Sequence, residues 1–202
     1  MLASIHPLGE RVRGNRWWLT AAAHVAASAL AGALAGAAAG GVGQLALGRL
    51  LRGAPGVLLV IAICGIAAVV DATARRPPWP VHRQVDDGWM ARYRGWVYGA
   101  GFGFQLGLGV VTIVPTAAVL AVWLLALLGA SPVAGAAVGL AFGLSRGLPV
   151  LANAGVDTPG RLWSFQRRFQ AGAATARRAT VASLGALAVA GAAGTWLMAA
   201  QR

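Results

Sequence analysis

The chain has 202 residues and a net charge of +12, with 17 basic side chains against five acidic ones. Hydrophobic residues make up 58% and charged residues 11%, where an ordinary soluble domain carries about 25% charged residues. So few charges cannot coat so much apolar surface in water. That excludes a soluble enzyme and a disordered chain, and predicts an all-α, polytopic integral membrane protein.

Every basic residue is Arg. A basic balance can mark nucleic-acid binding, but these arginines lie between apolar segments rather than along one polar face. The expected partner is the lipid bilayer and not nucleic acid. The absence of Lys beside abundant Ala and Gly reads as a GC-rich, bacterial coding bias.

The N-terminal basic arm, 1–17, carries Arg11, Arg13 and Arg16. It is similar to a signal-peptide n-region, but the apolar stretch at 21–47 is too long for an h-region of about 7–15 residues. It is read as a retained span. Five apolar segments follow in chain order, at about 18–47, 55–70, 96–128, 132–152 and 180–199. A helical span needs about 20 residues. The first and third segments exceed that and are expected to be tilted or broken, the first at Gly40-Gly41 and the third at Pro115. The second is short and should gain a turn at each end.

The arginines alternate by side. Arg11, Arg13 and Arg16 precede the first segment; Arg75, Arg76, Arg83, Arg92 and Arg94 sit in the loop at 74–95; Arg161, Arg167, Arg168, Arg177 and Arg178 sit in the loop at 153–179. Only Arg49, Arg52 and Arg202 fall on the other side, and Arg146 lies within the fourth segment. The positive-inside rule then places the N-terminus in the cytoplasm and the C-terminus outside, with five spans in a cell (inner or plasma) membrane. Trp17, Trp18, Trp79, Trp89, Trp96, Trp163 and Trp196 lie near segment ends, as interfacial residues do. The stretch 162–178 reads either as an amphipathic interfacial helix or as a basic loop. Both place anionic lipid against the cytoplasmic face.

Two segments share a register of small residues. Gly32, Gly36 and Gly40 match Gly135, Gly139 and Gly143, both as GxxxGxxxG. Such stripes let helix backbones approach closely and are expected to be helix-packing residues. The match predicts an inverted repeat; the alternative is resemblance by composition alone.

Candidate chemistry is sparse. Pro115 interrupts the third segment, and Thr112 and Thr116 offer hydroxyls to the backbone groups it frees. Arg146, followed by Pro149, is an ionisable group within an apolar segment, which marks a substrate path or a snorkelling side chain. Asp71 lies four residues before Arg75, the spacing of a helical ion pair. His24, Gln44 and Gln105 are expected to pack against other helices. His6, His24 and His82 have no metal-ligand spacing, and Cys64 is the single cysteine. No catalytic residues, cofactor-binding residues or metal ligands are expected.

The stretches Ala-Phe-Gly-Leu-Ser-Arg-Gly-Leu-Pro-Val at 141–150 and Gly-Phe-Gly-Phe-Gln-Leu-Gly-Leu-Gly-Val-Val-Thr-Ile-Val-Pro at 101–115 resemble the fifth and fourth helices of the CcdA/DsbD-type transmembrane domains. That family holds thiol-disulfide carriers of cytochrome c biogenesis and related small-solute exporters. The resemblance implies the last five of six helices in two inverted repeats. It does not imply the thiol relay, because no cysteine stands near Thr112 where the family has one.

Two functions follow as expectations. One is a transporter-like or carrier-like membrane protein, without thiol redox chemistry, working around Pro115 and Arg146. The other is a non-catalytic scaffold or accessory subunit whose glycine faces pack a partner's helices. A homo-oligomer or a membrane-protein partner is expected in either case.

Overall fold

The computed structural model describes residues 5–47, 54–73, 88–109 and 116–200, with only the backbone of 54, 91 and 194–200. The described residues are almost wholly helical. Eight α-helices follow in order: α1 Pro7–Val12, α2 Trp17–Leu47, α3 Ala54–Thr73, α4 Gly88–Arg92, α5 Gly95–Leu108, α6 Ala117–Leu128, α7 Pro132–Gly147 and α8 Pro159–Ala200. A 3-10 turn, Leu148–Asn153, continues α7. Three stretches are long and apolar enough to cross a membrane: Trp17–Leu47, Pro55–Thr73 and Pro132–Asn153.

Several expected boundaries move. Gly40-Gly41 does not break the first segment: α2 runs 31 residues without interruption, about 46 Å at 1.5 Å per residue. The third segment is two helices, α5 of 14 residues and α6 of 12. α5 ends on Gly109, whose left-handed backbone (φ 72°) closes the helix. The loop expected at 153–179 is mostly helix. α8 starts at Pro159 and runs 42 residues into the fifth apolar segment, so the arginine-rich stretch is the first part of that helix.

The chain divides into two compact units. The first takes in α1, α2 to Leu34, α4, α5, α7 from Gly139 with the 3-10 turn, and α8 to Ala173. Here α5 runs parallel to α2. A stripe of Gly95, Gly99, Gly103 and Gly107 meets Thr20, His24 and Ser28 in step. A Cβ on Gly103 or Gly107 would overlap the carbonyl of His24 or Ser28. α7 runs antiparallel to α2: Gly143 lies on Ser28, and Gly32 on Gly139. The Ser28 hydroxyl donates to the Gly143 carbonyl at 2.8 Å. The core of this unit is Ile5, Ala21, Tyr98, Phe102 and Val150, flanked by Trp17, Val25, Trp89 and Met90.

The second unit holds α2 from Ala35, α3, α6, α7 to Val138, and α8 from Ala174. The glycine contact has the same antiparallel sense: Gly135 lies on Gly36, and Gly40 on Ser131 and Gly135. α3 runs antiparallel to α6 and to α8. Its core is Cys64, Ala67, Ala68, Ala117, Ala121 and Leu184. Small residues dominate this second core, which lets the helix backbones pack closely, whereas large side chains fill the core of the first unit.

Candidate functional site

In the second unit, the feature that stands out is the start of α6. A helix N-terminus exposes backbone N–H groups with no partner inside the helix, and these are costly to leave open among apolar side chains. Thr116 is the N-cap, in extended conformation (φ −143°), and its side chain makes no capping bond. Asp71 fills that role. Its carboxylate accepts from the Ala117 N–H at 2.6 Å and from the Ala118 N–H at 3.1 Å. Asp71 is 4% exposed. The positive end of the helix dipole favours an anion there. Arg177 of α8 donates through Nε to the backbone carbonyl of Asp71 at 2.6 Å. A single acid at the end of α3 thus ties α3 and α6 together, and α8 holds the same residue.

The spacing of Asp71 to Arg75 pointed to an ion pair on one helix. Arg75 lies outside the described residues. Both carboxylate oxygens of Asp71 are turned to α6.

The other candidates fall in different places. Thr112 and Pro115 lie outside the described residues, between α5 and α6. Arg146 is in the last turn of α7, with its guanidinium 5.5 Å from the centre of the Phe142 ring. Pro149 sits in the first turn of the 3-10 helix, where a backbone N–H would have no partner within the helix and its absence costs nothing. Arg146 and Pro149 belong to the first unit and Thr116 to the second. The stripes Gly32, Gly36, Gly40 and Gly135, Gly139, Gly143 are engaged within the chain. His24 is buried with Nδ1 3.3 Å from the Gly99 carbonyl. Gln44, expected against another helix, instead faces outward.

A second polar cluster, in the first unit, was not anticipated from the sequence. Glu10 of α1 is fully buried. Its carboxylate pairs with Arg13 at 2.8 Å, accepts from the Thr20 hydroxyl at 2.9 Å and accepts a short bond from the Tyr98 hydroxyl. Asn15 bridges to α5. Its carbonyl accepts the Gly95 N–H at 3.2 Å and its amide donates to the Tyr98 hydroxyl at 3.4 Å. Gly95 is required by this crowding, since a Cβ there would meet the Thr20 and Glu10 oxygens. The arm therefore folds onto the starts of α2 and α5. α1 has its own cap: His6 Nδ1 accepts the Gly9 N–H at 3.1 Å, and Pro7 takes the first helical position. Burial, and then the neighbouring charge of Arg13, push the His6 imidazole below its ordinary value, partly offset by Glu10. The His6-Pro7 start followed by Glu10 was a readable helix-start signal; the partners of Glu10, at positions 20 and 98, were not.

No family model matches the chain, and no solved structure matches it. It is 31% identical over 198 residues to the methylamine utilization protein MauF of Paracoccus denitrificans, a match that covers 92% of this chain and 67% of that protein. At that identity, over nearly the whole of this sequence, the chain belongs to the MauF family.

Proposed function

We propose that this chain serves methylamine utilization as a small transporter-like or carrier-like membrane protein. It crosses the cell membrane five times, with its N-terminus in the cytoplasm. The relative, a methylamine utilization protein, supports the process. The alternation of arginines supports the topology. The CcdA/DsbD-type scaffold serves as the template for the fold of the proposal, without its thiol chemistry: Cys64 is buried in α3.

The observation that carries the carrier reading is Asp71 on the N-terminus of α6. Discontinuous helices with polar groups at their broken ends are where small-solute carriers build their sites. A buried acid held by two backbone N–H groups is an ionisable group of the kind that marks a transport path. The scaffold reading is the weaker, because both glycine stripes are already used inside the chain.

The test is complementation of a Paracoccus denitrificans strain lacking MauF, scored by growth on methylamine. The full chain should restore growth. Asp71→Asn, which removes the charge but keeps one acceptor for the start of α6, should reach the membrane at normal levels and fail to restore it. Full rescue by Asp71→Asn would remove the carrier reading, and absence of rescue by the unaltered chain would remove the assignment to methylamine utilization.

A further inference from the structure

Three sequence-remote stretches of the first unit each place exposed arginines beside an exposed aromatic residue. Arg11 and Arg16 precede Trp18, Arg92 and Arg94 surround Tyr93 and precede Trp96, and Arg167 and Arg168 lie between Trp163 and Phe169. Trp163 is 67% exposed, Trp18 59% and Trp96 50%.

Hydrogen bonds bring the first two of these stretches and the residues leading into α8 to one end of the unit. Asn15 holds Gly95 and Tyr98, which levels the start of α2 with the start of α5. The Leu8 N–H donates to the Val156 carbonyl at 3.1 Å, and Asn153 donates to the Ile5 carbonyl at 3.1 Å. That draws α1 to the residues just before α8. Arg168 is then about 14 Å along α8 from its first residue, at 1.5 Å per residue. The acids of the described part of this unit do not neutralise the end. Glu10 is buried against Arg13, and Asp157 pairs with Arg161 at 2.9 Å.

The exposed side chains also change in order along α2. Arg16 and Trp18 stand at its start, and Leu30 and Leu34 are exposed further along. Leu30 lies about 18 Å beyond Trp18 at the helical rise. Cation, then indole, then aliphatic is the sequence of environments from headgroup to hydrocarbon. A nucleic acid would match the arginines but not this gradient.

We propose that this arginine-lined end of the first unit seats anionic phospholipid headgroups, with the tryptophans at the headgroup boundary. The proposal does not depend on the carrier reading. Each arginine near an anionic surface strengthens binding about fivefold, and the term weakens with salt.

The test uses the full chain purified in a neutral detergent and titrated with short-chain phosphatidylglycerol or phosphatidylcholine, read by the shift in thermal unfolding midpoint. Phosphatidylglycerol should bind at least tenfold more tightly, and the preference should shrink at high salt. The variant Arg16→Gln, Arg94→Gln, Arg167→Gln, Arg168→Gln alters exposed side chains only. It should keep its helical content by circular dichroism and lose the preference. Equal affinity for the two lipids, an undiminished preference in the variant, or displacement of the lipid by millimolar inorganic phosphate would each overturn the proposal.

Discussion

Replacing Asp71 by alanine isolates the bond between α3 and α6. The carboxylate satisfies the N–H groups of Ala117 and Ala118 at 2.6 and 3.1 Å, in surroundings that leave Asp71 4% exposed. Alanine leaves both donors without an acceptor. An orphaned buried donor costs about 1–3 kcal/mol, so the pair predicts about 2–6 kcal/mol. The loss of a negative charge from the helix N-terminus adds to this by up to about 2 kcal/mol. Asparagine keeps one acceptor oxygen in place and should cost about half as much. Arg177 bonds the backbone carbonyl of residue 71, which both substitutions retain, so that link stays constant in the comparison. Unfolding of the full chain in mixed micelles, monitored by circular dichroism, measures all three proteins on one scale. If Asp71→Ala lies within about 0.5 kcal/mol of the unaltered chain, the cap does not stabilise α6 and the reasoning fails.

Three further outcomes are expected. Gly135→Leu should break the contact with Gly36 and cost at least about 2 kcal/mol, because its side chain would occupy backbone volume; Gly65→Ala, with nothing within 4 Å of its Cβ, should be neutral or stabilising by up to about 1 kcal/mol, and equal effects in the same unfolding assay would contradict the packing. Glu10→Ala should cost about 3–5 kcal/mol, since it removes the acceptor from Arg13, Thr20 and Tyr98 together, whereas Tyr98→Phe should cost about 1–2 kcal/mol; limited proteolysis of the first 16 residues should accelerate in Glu10→Ala only. The cap of α1 should be pH-sensitive: with the folded His6 value lowered by burial and Arg13, its contribution is present above about pH 6.5 and is lost as pH falls, and His6→Asn, a cap that does not titrate, should abolish that part of the pH dependence of stability.

The sequence alone determined the class, an all-helical chain with apolar stretches long enough to cross a membrane. Composition carries that reading, because 58% apolar residues with 11% charges lies far from the balance of a soluble domain. Segment lengths and glycine spacing are local quantities that need no partner to be read. The limits of a local reading show at two places. Gly40-Gly41 read as a break, yet α2 continues, since Gly40 lies against Ser131 and Gly135 and the close contact supports the helix there. The arginine stretch at 162–178 read as a basic loop or an interfacial helix, yet it is part of α8, because nothing in it forces the backbone to turn.

Only the tertiary structure decided where the charges go. Asp71 and Glu10 are both single acids near arginines in the sequence, and sequence spacing favours a local ion pair for each. Glu10 does take Arg13 three residues away, but its other partners lie 10 and 88 positions along the chain. Asp71 takes α6, 46 positions on. The physical reason is the same in both. A buried carboxylate is held wherever the greatest number of donors converge, and in a helical bundle those donors come from helix ends and hydroxyls on different helices. Which ends meet is set by the glycine stripes, whose register brings Gly95 to Thr20 and Gly135 to Gly36, and that register exists only once the helices have packed.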